Sequence, residues 1–92
     1  MNIPEKQHEA AHRAHEEFKI FVNAREKTVT QDKLSFDEVV VLAFGPPNYD
    51  SSVYTVTYRK GHEPKPHGTL VQGESVRVKT GMIFNVVRTD KS

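Results

Sequence analysis

The run Leu34 to Gly45, LSFDEVVVLAFG, constrains this chain more than any other part, because it encodes one short helix with a start signal and a stop signal. Ser35 followed three residues later by Glu38 is a capping box, in which the serine oxygen takes the backbone N–H of Glu38 and the glutamate reaches back to that of Ser35. Leu34 and Val39 supply a hydrophobic staple across the same turn. Gly45 suits a left-handed closing residue, and Pro46 and Pro47 forbid continuation, so the predicted helix covers 36–44. A helix of that length is not stable alone in water and has to be held by a sheet. Phe36, Val39, Val40 and Ala43 form the stripe that meets the sheet. Val41, Leu42 and Phe44 fall outside it and need cover from the following loop, the N-terminal segment or a partner.

On both sides of the helix the period changes to two. Phe18, Ile20 and Val22 share one face of a first strand, with Lys19, Phe21 and Asn23 on the other. Asn23 to Glu26 reads as a turn and Lys27 to Gln31 as the returning strand. After the loop Pro46 to Ser52, the stretch Val53 to Arg59 alternates, with Tyr54, Val56 and Tyr58 assigned to the core and Thr55, Thr57 and Arg59 to the other face. Lys60 to Gly68 is an exposed loop. Thr69 to Gln72 and Ser75 to Lys79 are short strands, and Met82 to Arg88 is the last, with Met82, Phe84 and Val86 on one side and Ile83, Asn85 and Val87 on the other. Hairpin, helix, then further strands with a strand at the end is the order of an α+β β-grasp, a mixed sheet packed on one central helix.

Ninety-two residues make one domain with a thin core. With no cysteine, there is neither a disulfide framework nor a thiolate site. A formal charge of +1 provides no field that argues for nucleic acid or an anionic membrane. The N-terminus lacks the apolar run of a signal peptide, and no stretch approaches the ~20 apolar residues of a membrane span. The expectation is a cytoplasmic protein with neither nucleic acid nor membrane as partner, and a monomer. Residues 1–17 read as a mobile, partly helical extension whose apolar side chains between Glu5 and Glu17 are alanines, 18–88 as the folded domain and 89–92 as a flexible tail.

His8-Glu9-Ala10-Ala11-His12 fits the zincin pattern HExxH, and His15 could add a ligand on the same face. That segment has no core to preorganise it and no cleft around it, so the reading is a solvated helix, with adventitious zinc or nickel binding as its alternative. Asp32, Asp37, Glu38 and Asp50 are explained by capping and turns, and Ser51 and Ser52 have no histidine beside them in sequence. No catalytic residue, metal or cofactor is assigned, and the chain is read as no enzyme.

FKIFVN with its turn and KTVTQDKLSFDEVVVLAFG resembles the opening hairpin and helix of ubiquitin, and resembles more closely the bacterial multiubiquitin-domain family. YTVTYRKG, LVQGESVRVKTGMIFNV and RTDKS also look like that family's pattern, so the resemblance covers 18–92. It implies a ubiquitin-like protein modifier, whose C-terminal carboxylate is adenylated by an activating enzyme, passed to a conjugating enzyme and attached to a target protein. Relatives in bacterial operons carrying such enzymes and a deconjugating, metal-dependent peptidase imply a link to antiphage defence. Arg88, Thr89, Asp90, Lys91 and Ser92 would be the conjugation tail, which departs from ubiquitin in lacking a terminal Gly-Gly. The alternative is a β-grasp module that binds protein without being conjugated. The outward face carrying Phe21, Ile83 and Val87, with Thr55, Thr57 and Asn85 between or near them, corresponds to ubiquitin's main protein-docking patch and is the expected partner-binding surface. Otherwise these residues cover a loop, meet another copy or are ordinary exposed apolar residues.

Overall fold

The computed structural model describes residues 16–91. Ser35 sits in extended backbone at φ −84° and ψ 164°, and the chain becomes helical at the next residue. The Glu38 N–H donates to the serine hydroxyl at 3.1 Å and the Ser35 N–H to the glutamate carboxylate at 2.8 Å, so the capping box is formed. Helix α1 runs Phe36–Phe44 and is closed by the Gly45 N–H on the Val41 carbonyl at 2.8 Å, with Gly45 at φ +84°.

Strands β1 (Phe18–Val22) and β2 (Arg25–Val29) form an antiparallel hairpin. The connection is tighter than the sequence predicts. Only Asn23 and Ala24 lie between the strands, at φ 52° and 68°, the positive values of a two-residue type I′ turn. Pairing Val22 with Arg25 and Phe18 with Val29 puts Val29 on the inner face with Ile20 and Val22, which decides the register. Strand β3 (Lys33–Ser35), which alternation does not reveal, pairs with β6 (Ser75–Arg77) in a separate two-stranded ribbon. The remaining strands are β4 (Ser52–Arg59), β5 (Gly68–Leu70) and β7 (Ile83–Asp90). The main sheet has the order β2-β1-β7-β4-β5, with β1 and β7 parallel and the other pairs antiparallel. Among the described residues it is the mixed β-grasp sheet with one helix.

The core lies between the sheet's inner face and α1. Tyr54, Val56 and Tyr58 of β4 and Phe84 and Val86 of β7 are buried, with Met82 just ahead of β7, as the alternation requires. Phe36, Val39 and Val40 are at most 3% exposed, and burying each such side chain contributes about 1.5–3 kcal/mol. Leu42 and Ala43 pack partly against the same cluster, whereas Val41 and Phe44 stay 46% and 44% exposed. The cover Phe44 receives includes the Arg88 guanidinium, 5.8 Å from its ring centroid, and the Tyr54 ring at 6.1 Å.

The end of the sheet corrects the expectation of a loose tail after Arg88. Strand β7 continues through Asp90, with Thr89 opposite Val53 and Asp90 opposite Ser52, and the Lys91 N–H donates to the Ser51 carbonyl at 2.8 Å. Backbone pairing needs no apolar side chain, and β4 starts early enough at Ser52 to supply the partners. Ser92 lies outside the described residues, as do positions 1–15 with His8, Glu9, His12 and His15 of the HExxH stretch. Among the described residues no helix is long and apolar enough to cross a membrane.

Candidate functional site

Strand alternation sends every second side chain of the sheet away from α1. On β7 these are Ile83, Asn85 and Val87, because Phe84 and Val86 are committed to the core. The register then selects their neighbours. Phe21 of β1 stands beside Ile83, Thr57 of β4 faces Asn85, Thr55 faces Val87 and Arg59 faces Ile83. Directly opposed side chains of this kind have Cβ atoms about 4.5–5.5 Å apart and touch. The five residues expected to bind a partner, Phe21, Thr57, Ile83, Asn85 and Val87, therefore share one surface.

This surface is apolar at its ends and polar in the middle. Phe21 is 38% exposed, with half-buried Ile83 at its side. Val87 is 56% exposed at the other end, and Asn85, Thr55 and Thr57 separate the two. Val53, 50% exposed, lies diagonally beside Val87 and enlarges the second apolar end. The sequence reading did not assign Val53 to the patch, although its parity with Thr55 and Thr57 on β4 is the signal that would have done so. Lys19 and Glu26 approach to 3.9 Å beside Phe21, but both side chains are more than half exposed and the pair contributes little to stability.

The end of β7 forms a second cluster. The Ser52 hydroxyl donates to Asp90 Oδ1 at 3.1 Å, the Arg88 Nε lies 3.5 Å from the same oxygen, and the Lys91 ammonium donates to the Tyr49 carbonyl at 2.8 Å. Tyr49 in turn donates its hydroxyl to Asp37 Oδ1 in the first turn of α1. Desolvation first, then the hydrogen bond and charge of Asp37, push the Tyr49 phenol up to about 12. A groove of about 360 Å³ runs along β4 between Tyr49, Tyr54, Val71 and Lys91 and reaches the outer sheet face at Val53.

Three other titratable side chains have local partners. Glu38 is held by the cap and by Gln31 at 3.3 Å, Asp37 by Tyr49, and His62 Nε2 lies 2.9 Å from the Val78 carbonyl. Among the described residues no three histidine or carboxylate side chains converge on a point that could hold a metal. The outer sheet face thus presents aromatic and aliphatic side chains at its ends and polar ones between them.

A family model described as multiubiquitin matches residues 18–90. Neither the search of curated proteins nor that of solved structures returned a match.

Proposed function

This chain belongs to the multiubiquitin family, and on that premise we propose that it is a ubiquitin-like protein modifier. An activating enzyme docks on the face of Phe21, Ile83 and Val87, with Thr57 and Asn85 between the apolar ends, and receives the end of the chain from Arg88 onward. The terminal carboxylate attacks the α-phosphorus of ATP and displaces pyrophosphate. An enzyme thiolate then displaces AMP, and a conjugating enzyme carries the chain to a target protein. A peptidase that removes it, and a bacterial antiphage operon as the setting, complete the reading.

The observation that carries this reading is the double use of β7. One strand contributes Ile83, Asn85 and Val87 to the outer face and then, from Val87 to Lys91, runs exposed toward the end of the chain. An enzyme that grips the face is thereby guided toward the carboxyl end along a single strand. A second reading, a β-grasp module that binds protein without conjugation, is favoured by the pairing of Thr89, Asp90 and Lys91 with Ser51 to Val53.

The two separate in one experiment. The protein is incubated with ATP and activating and conjugating enzymes from a bacterial operon of this family, and intact-mass spectrometry looks for an acyl-adenylate, an enzyme thioester and a target adduct. Any of them supports the modifier. Stable complex formation with none of the three covalent species overturns it in favour of the module.

A further inference from the structure

Strands β4 and β7 are each eight residues long and stay in register to their far ends. Beyond Val87 this pairing has no apolar cause, since Arg88, Thr89, Asp90 and Lys91 are all exposed and outside the core cluster. Polar contacts hold it. Ser52 is the one buried polar residue among the described residues, at 5% exposure, and its hydroxyl is aimed at Asp90. Lys91 is held twice, by its N–H on the Ser51 carbonyl and its ammonium on the Tyr49 carbonyl, both at 2.8 Å. The receiving segment is itself anchored, because the Asn48 carbonyl accepts from the N–H groups of Ser51 at 3.3 Å and Ser52 at 3.0 Å, and Tyr49 is bonded to α1 through Asp37.

We infer that Arg88 to Lys91 form a latch, which keeps the chain end zipped to β4 and withholds it from an activating enzyme until β7 opens back to Val87. The inference rests on the modifier reading. An enzyme that adenylates a carboxylate takes the last residues as a free extended strand in a narrow channel, and the backbone of Thr89 and Lys91 cannot pair with Val53 and Ser51 at the same time. The latch contacts are few and, apart from the part-buried bond between Ser52 and Asp90, lie in solvent, so opening is a local event at the end of the sheet and leaves the core folded. Opening also lifts Arg88 from the Phe44 ring, which enlarges the apolar surface beside the released strand. Release of the end and exposure of a new contact are thus one movement.

Ser52→Cys combined with Asp90→Cys tests this directly. The two positions face each other, and the bond from Lys91 to Ser51 puts Ser52 and Asp90 in the close, non-hydrogen-bonded type of antiparallel pair that accepts a disulfide. The natural chain has no cysteine to compete. Pyrophosphate exchange with the activating enzyme is measured for the oxidised and reduced forms, and amide hydrogen exchange of Thr89 and Lys91 is measured for the wild type and for Ser52→Ala. The latch predicts that the disulfide abolishes pyrophosphate exchange, that reduction restores it, and that Ser52→Ala speeds amide exchange at Lys91 by about fivefold, the loss of one hydrogen bond. Equal activity of the oxidised and reduced forms overturns the latch and leaves the modifier standing. Unprotected amides at Thr89 and Lys91 in the wild type overturn it as well. Protected amides with no pyrophosphate exchange from wild type, reduced form or Ser52→Ala overturn the modifier reading, and the gating role falls with it.

Discussion

The side-chain amide of Asn23 closes on the backbone of Val86 from both sides: its Nδ2 donates to the Val86 carbonyl at 3.1 Å, and its Oδ1 accepts the Val86 N–H at 2.8 Å. Paired residues of β1 and β7 end at Val22 and Phe84, so the amide takes the place of one more strand residue and extends the ladder past the hairpin turn. Asn23→Gly removes these bonds while keeping a residue at ease with φ 52°, and leaves both partly buried groups of Val86 without them. The expected loss is about 1–3 kcal/mol in denaturant unfolding. An unchanged midpoint would mean that water replaces the amide at no cost.

Ala24 occupies the second turn position at φ 68°, a region that costs an L-residue roughly 1–2 kcal/mol. Ala24→Gly creates the Asn-Gly pair that type I′ turns prefer, and the greater freedom of glycine in the unfolded chain offsets part of the gain. A net stabilisation of about 0.5–1 kcal/mol is expected. It should appear as a rise of a few degrees in Tm, at about 4–8 °C per kcal/mol for a domain of this size.

Tyr49 is neutral in the fold up to about 12 and ionises nearer 10.0 when unfolded. Between those values the folded state holds one more proton than the unfolded state, so the contribution to stability is intact below about 10 and is lost as pH rises toward 12. Tyrosinate absorbance should therefore show Tyr49 ionising late, near 12, and Asp37→Asn should move it back part of the way, because desolvation remains. Tyr49→Phe should flatten the loss of stability in that window.

Val87→Asp places a charge on an outward position that is 56% exposed, so unfolding should change by no more than about 1 kcal/mol. Affinity for the activating enzyme should fall about tenfold, the size of one contact at the edge of a hot spot. Calorimetric titration of both proteins against the same enzyme checks it. Unaltered affinity would remove Val87 from the docking face.

Features encoded within a few neighbouring residues were legible in the sequence. Ser35 and Glu38 announce the helix start, Gly45 its end, and the alternation of Tyr54, Val56 and Tyr58 against Thr55 and Thr57 fixes which face of β4 meets the core. From those parities the outward face carrying Phe21, Thr57, Ile83, Asn85 and Val87 follows as a set, since a shared sheet converts parity into a shared side. What escaped depends on distant partners or on an unfavourable residue. Ala24 is a poor signal for a positive φ, so the turn looked wider than it is. Lys33 to Ser35 is too short to alternate, and its strand exists only because Ser75 to Arg77 lies alongside. Thr89 to Lys91 carry the polarity of a loose end, and only the position of Ser51 and Ser52 across the sheet makes them strand.

The parallel pairing of β1 and β7 has a consequence for any chain built from more than one such unit. Counting three residues back from Phe21 to Phe18 and seven onward from Ile83 to Asp90, the points where the backbone enters and leaves the sheet stand roughly 33 Å apart, at opposite poles. Successive copies would string out in one direction like beads on a thread, because the exit of each unit lies at the pole opposite its entrance.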